Sequence, residues 1–212
     1  MSDERRRQII DAARQLYEEK GLARTSVKDI SERCGMARSL FYHYFPDKQA
    51  VTSAVIDDYI TDYIESLQLW DEARIPGNIE QALEGVVTVM RVGVFEHSSF
   101  RQALDTRENA SLYLEFINRV ADRMATFFIN ATVQDYAQVH PVEIDHVYET
   151  FYILIMGICG YTRTHRDVSD EVLKDIIAQT LHMRRGVAAA PPGETEASAE
   201  SKQSTQHADQ PV

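Results

Sequence analysis

The amino-acid sequence predicts an all-α protein, with a small N-terminal three-helix domain carrying a helix-turn-helix and a larger helical domain after it. Three observations predict this. Apolar residues recur at three- and four-residue spacing almost throughout, which is the period of a helix face. The period-two alternation of half-buried strands is missing. Glycines, prolines and capping residues cut the chain into helix-length pieces.

The first helix spans about Glu4 to Lys20, with Ile9, Ala12, Ala13, Leu16 and Tyr17 on one face and Gly21 as its left-handed stop. Ser26 caps a second, short helix, and Asp29 three residues on completes a capping box. Val27, Ile30 and Cys34 form that helix's apolar side, and Gly35 ends it. A third short helix, about Arg38 to Tyr44, must stop ahead of Pro46, because the residue before a proline is steered away from helical backbone. Asp47 then caps a long fourth helix reaching about Trp70. After the Pro76-Gly77 break, Ile79, Ala82, Leu83, Val86, Val87, Met90 and Val94 mark a helix face. Leu112–Tyr136, Val142 to about Arg166 and Val168 to about Arg185 supply the remaining helical patterns, with Pro141 as a break.

From Ala188 the sequence "AAPPGETEASAESKQSTQHADQPV" has almost no large apolar side chain, so residues 188–212 are expected to be a disordered tail. The expected division is therefore 1–48, 49–187 and 188–212. With 44% hydrophobic residues the chain can bury a core. Neither a leader pattern nor a bilayer-length apolar run occurs, which places the protein in the cytoplasm. Cys34 and Cys159, far apart and each in an apolar pattern, read as buried thiols.

A net charge of −11 argues against nonspecific nucleic-acid binding, yet the charge is unevenly placed. Residues 1–48 hold ten Lys/Arg against eight Asp/Glu, while the rest hold twelve against twenty-five. A polyanion is accepted by the first quarter and repelled elsewhere.

The stretch "ERCGMARSLFYHYFPDKQAV" explains that asymmetry. Two short helices joined at Gly35 make a helix-turn-helix, whose second helix fits the major groove of DNA. Residues near that helix's start reach base edges, here Arg38, Ser39 and Leu40. Tyr42, His43 and Tyr44 can donate hydrogen bonds to phosphates, while Ser26 and Lys48 lie at helix starts that favour an anion. Phe41 and Phe45 are spaced to pack inward.

On these residues, with Ala12-Ala13, Gly21, Ser26-Val27, Ile30, Gly35, Tyr42, Phe45 and Lys48, the segment from about residue 5 to 55 resembles the N-terminal domain of the tetracycline-repressor (TetR) family of bacterial transcription regulators. The resemblance implies an all-helical homodimer that binds a palindromic DNA operator and is released by a small-molecule effector, most often as a repressor. It implies three DNA-binding helices, a long linking fourth helix, a ligand-binding domain, and a dimer interface built from the last two helices. Two positions depart from the family pattern. Ala37 stands where Ser or Thr is common, so the third helix lacks a side-chain cap, and Leu40 stands where a small polar residue is common. Leu40 can offer a base only an apolar contact, such as one with a thymine methyl.

In the larger domain, Phe95, Tyr113, Phe116, Phe127, Tyr152 and Met156 are candidates to line an effector cavity, with Arg91, His97 and Arg119 as its polar members. The two arginines lean toward an anionic ligand. Gly157 and Gly160, with Leu173, Ile177 and Leu181, are the candidate dimer seam. Seven histidines do not form a metal-ligand spacing, and neither a nucleophile motif nor a Gly-rich phosphate loop is present, so no metal, no cofactor and no catalysis are expected. The alternative function is a DNA-binding architectural or partner-binding protein of the same fold without an effector.

Overall fold

The segment around Gly21 shows how the chain begins to fold. Helix α1 (Ser2–Lys20) stops there because Gly21 takes φ +85°, a left-handed conformation that glycine adopts without steric cost. Helix α2 (Val27–Arg33) starts at Ser26, whose hydroxyl accepts from the Asp29 N–H at 3.2 Å while the Asp29 carboxylate accepts from the Ser26 N–H at 2.6 Å, the reciprocal pair of a capping box. Gly35, at φ +61°, makes the turn into α3 (Arg38–Tyr44). No side chain caps α3, as Ala37 leads one to expect.

The computed structural model describes residues 2–75, 77–95, 99–104, 106–138 and 141–183, and its regular elements are all helices. After α3 come α4 (Lys48–Ala73), α5 (Ile79–Phe95), α6 (Ser99–Leu104), a 3-10 turn (Arg107–Asn109), α7 (Ala110–Asn130), α8 (Thr132–Ala137), α9 (Val147–Thr164) and α10 (Asp170–Thr180). No helix among the described residues is long and apolar enough to cross a membrane. The expected tail, 188–212, lies outside the described residues.

Several boundaries differ from the sequence-based expectation, among them the end of α10 at Thr180 rather than about Arg185. The pattern Leu112–Tyr136 is two helices, because the backbone leaves the helical region at Ala131 (φ −120°, ψ −80°). The segment after Pro141 does not become helical until Val147, behind His146 in left-handed conformation. Helix α6 is only six residues long, too short for a periodicity to register.

One continuous core runs through the molecule. Ile9, Ala13, Tyr17, Ile30 and Phe41 are sealed within the N-terminal helices, and Val51 on α4 closes the same cluster. α4 packs on α1 and also on α5 and α7, so its 26 residues, about 39 Å at 1.5 Å per residue, join the two parts of the chain. The larger part is built chiefly on α7 against α9, with α10 laid on α5.

Two further contacts fix the joint. Arg14 on α1 reaches Asp58 and Asp62 on α4 at 2.5 Å each, and Arg7 also pairs with the buried Asp58. Phe100 on α6 is fully buried and stacks between Tyr17 of α1 and Tyr59 of α4, with centroid distances of 5.5 and 5.0 Å. A three-ring stack therefore ties the first helix to the larger domain.

Candidate nucleic-acid interface, ligand cavity and seam

Helix α3 divides its side chains by the helical period. Phe41 and Phe45 are buried, while Arg38, Ser39, Leu40, Tyr42 and His43 are exposed. Residues 38, 39, 42 and 43 share one face, because positions four apart lie one turn above each other. Arg38 makes no hydrogen bond or ion pair within the described residues, so its five N–H donors are available to an external acceptor. Other cations of this region are engaged internally: Arg33 with Glu19 at 2.6 Å, Lys20 with Asp29 at 2.9 Å, and Arg6 over the Phe45 ring at 5.0 Å. Tyr44 is half-buried against the core, which turns much of it away from a partner.

Ser26 and Lys48 do structural work. The Ser26 hydroxyl is taken by the capping box, and the Asp29 carboxylate already occupies the start of α2; hydrogen bonds from Ser26 and Lys20 hold that carboxyl well below its usual range. Lys48 is half-buried and its Nζ donates to the Leu22 carbonyl at 2.6 Å, stapling the start of α4 to the α1–α2 turn. Burial lowers the pKa of its ammonium, and nearby Asp29 opposes the shift. A sequence signal for this role exists only in part, since the acceptor is a backbone carbonyl 26 residues away.

The larger domain contains a cavity of about 100 Å³ among the C-terminal end of α4, α5, the end of α7, α8, α9 and α10. Trp70, Met90, Phe128, Phe151, Ile155 and Met183 form much of its wall. None of the described residues expected from the sequence lines it, and the reasons are physical. Arg91 pairs with Asp170 and donates to the Val168 carbonyl, which fastens α5 to the α9–α10 loop. Arg119 donates to Asp57 at 2.9 Å and Ser53 Oγ at 2.8 Å and pairs with Glu115, which fastens α7 to α4. Tyr113 lies under the Arg163 guanidinium at 4.0 Å, and the Tyr152 hydroxyl donates to Asn118 Oδ1 at 2.8 Å. Phe116 is core, Phe127 packs edge-on against Phe128, and Met156 is half-buried against the core. The Phe95 side chain and His97 lie outside the described residues. Two arginines that suggested an anionic ligand thus have carboxylate partners of their own.

Trp70 and its companions were not anticipated as a cavity wall, although one signal was present. Gly85 on α5 is approached so closely by the Trp70 indole that a Cβ there would lie 1.7 Å from Nε1. A glycine inside a strongly apolar helix face marks such an approach.

The dimer-seam residues separate into two groups. Gly157 and Gly160 are exposed, and a Cβ on either would meet nothing within 4 Å in the subunit. Leu173 and Ile177 are instead buried inside the subunit, and Ile177 and Leu181 line the cavity. The exposed large apolar positions of α10 are Val172 and Ile176, and those of α9 are Tyr148, Ile153 and Tyr161. Residues 153, 157, 160 and 161 follow the i, i+4, i+7, i+8 spacing of one helix face.

The chain is similar to known proteins in its N-terminal segment and in its fold. Residues 9–55 match the family described as bacterial regulatory proteins, tetR family. The chain is 24% identical over 184 residues to the HTH-type transcriptional regulator YuxN of Bacillus subtilis, covering 82% of this chain and 62% of that one. It is 41% identical over 58 residues to the HTH-type transcriptional regulator EthR of Mycolicibacterium smegmatis, 27% of each chain. The chain thus spans less than two thirds of the length of these relatives. In fold it is similar to the TetR family repressor AlkX from a Dietzia species, with a TM-score of 0.62 at 19% identity over 84% of this chain and 95% of that one.

Proposed function

From a chain whose N-terminal domain and fold are those of the tetR family of bacterial regulatory proteins, we propose a ligand-responsive transcriptional regulator acting as a repressor. In this reading a homodimer holds a palindromic operator through two copies of α3, and a small molecule in the cavity releases it. The observation that carries the reading is the outward face of α3, where Arg38 has no partner among the described residues while Phe41 and Phe45 turn inward. Ser39 and Leu40 extend that face toward base edges, and Tyr42 and His43 toward phosphates. Lys48 and Ser26 act one step back, by fixing the attitude of the helices that present α3.

The mechanism is geometric. Two recognition helices must stand about 34–36 Å apart to enter successive major grooves on one side of DNA. The cavity lies at the far end of α4, where Trp70 belongs to its wall, and the other end of α4 holds the DNA-binding helices through the Arg14–Asp58 pair and the Tyr17–Phe100–Tyr59 stack. A ligand that binds one attitude of α4 better than another shifts the helix spacing by its differential affinity, and operator affinity falls accordingly.

Arg38→Ala tests the reading. It should cost operator affinity about 1–3 kcal/mol and flatten preference at one base pair per half-site, the effect of losing a bidentate contact with a guanine. Tyr42→Phe should weaken binding to all sequences alike. Binding of both variants to a randomised duplex library at two salt concentrations separates the roles. If Arg38→Ala leaves base preference intact and lowers the slope of log K against log salt by about one, Arg38 holds a phosphate and α3 does not read sequence through it.

A further inference from the structure

The wall of the cavity describes the chemistry of what fits it, and the inference here rests on the reading of that cavity as the effector site. Among the described residues, Arg74 is the only Lys, Arg, Asp or Glu in the wall. Its side chain is 4% exposed, and its guanidinium bridges two carboxylates: Nε donates to Asp71 at 2.6 Å and Nη2 to Asp135 at 2.9 Å. Neither carboxylate lines the cavity. Thr132, also in the wall, donates to Asp71 at 2.9 Å, and Asn78 Oδ1 accepts the Gln81 N–H at 3.0 Å as the cap of α5. An anion entering would meet a guanidinium already neutralised by two carboxylates. A cation would meet no carboxylate at all. Either would exchange water for a mostly apolar wall whose described residues offer it no unpaired charge of opposite sign, which costs several kcal/mol in a protein interior.

We propose that the effector of this protein is an uncharged apolar molecule of about the size of a single substituted aromatic ring, and that the pairing of Arg74 by Asp71 and Asp135 excludes anionic analogues of the same shape. Size follows from volume. An apolar protein cavity of about 150 Å³ accepts benzene, and the space here is about 100 Å³ with Met90 and Met183 in the wall. Methionine is unbranched and readily changes rotamer, so the wall can yield to a ring of that size. Flat aromatic faces from Trp70, Phe128 and Phe151 suit a ring by stacking or edge contact.

The test uses the full chain and an internal reporter. Trp70 is the only tryptophan in the sequence, and its indole forms part of the wall, so its fluorescence reports occupancy of this cavity. Three probes of matched size are titrated: toluene, benzoate and benzylammonium. Toluene should give a saturable change in emission, with both ions weaker by on the order of a hundredfold. Ala82→Phe, which places a ring in the cavity, should abolish the toluene response while the circular-dichroism melt stays cooperative. Asp135→Asn should release one side of Arg74 and narrow the toluene-to-benzoate ratio by on the order of tenfold. Preference for either ion in the wild-type chain, or no response to toluene up to its solubility, overturns the proposal. An unchanged ratio in Asp135→Asn overturns the role of the cluster. The same probes are added to the chain bound to an operator duplex recovered by selection. Toluene that occupies the cavity without releasing DNA leaves the ligand class standing and overturns the cavity's role as effector switch.

Discussion

Phe100→Ala is expected to destabilise the protein by about 3–5 kcal/mol, the range for removing a fully buried aromatic side chain and leaving a cavity. For a folded unit of this size that is a fall in melting temperature of about 6–20 °C. The value belongs at the upper end of single-residue effects because Phe100 is 0% exposed and touches two other rings face to face. Stacked and offset aromatic pairs contribute beyond their buried area, by about 0.5–1.5 kcal/mol each. Tyr17 and Tyr59 would lose their common neighbour, although each keeps a hydrogen bond, to Thr52 and to Glu18. Phe100→Leu, which retains most of the volume, should recover much of the loss. A calorimetric melt of the two variants checks this, and equal melting temperatures for Phe100→Ala and wild type would remove the stack from the account of how α1 is held to the larger domain.

Gly157→Leu has the second large expected effect, and its direction differs between the subunit and the dimer. Within one subunit nothing lies within 4 Å of the added Cβ, so the fold of the single chain has no contact to lose. Leucine is also a better helix former than glycine, by somewhat less than the about 0.8–1 kcal/mol that separates glycine from alanine. If α9 packs against its twofold mate through Ile153, Gly157, Gly160 and Tyr161, however, a bulky side chain forces the helices apart at a cost of about 1–3 kcal/mol. In a twofold interface the same substitution appears twice, so the dimer should weaken by about 2–6 kcal/mol. Sedimentation across a range of concentrations reads the dimer, and a thermal melt at low concentration reads the subunit. A variant that dimerises as wild type would place the seam elsewhere than on this face of α9.

The sequence carried the fold well where local chemistry dictates it. Gly21 and Gly35 take the left-handed backbone that only glycine adopts cheaply, Ser26 and Asp29 form the capping box that their spacing announces, and α3 begins and ends at the residues expected of it. Those are short-range rules, and the exposed face of α3 follows from them. The cavity wall was not legible, because which side chains are free to line it depends on partners far along the chain. Arg91 meets Asp170 across 79 residues and Arg119 meets Asp57 across 62, and no periodicity reveals that these charges are already matched. Helix α10 shows a related limit. It carries two apolar stripes, Leu173–Ile177–Leu181 and Val172–Ile176, and the pattern alone cannot say which one faces its own subunit. Packing against α5 and α9 turns the first stripe inward and leaves the second at the surface.

The claim at the centre of this account is that two copies of α3 read a symmetric DNA site at a spacing set by the larger domain. Selection of binding sites by the full-length wild-type chain from a randomised duplex library tests it most directly. The account predicts recovery of an inverted repeat whose half-site centres lie one helical turn apart, about 34–36 Å, or a whole multiple of it. Recovery of no symmetric sequence, with all duplexes retained equally and released together as salt is raised, would contradict it, since such binding is electrostatic attraction to phosphate alone.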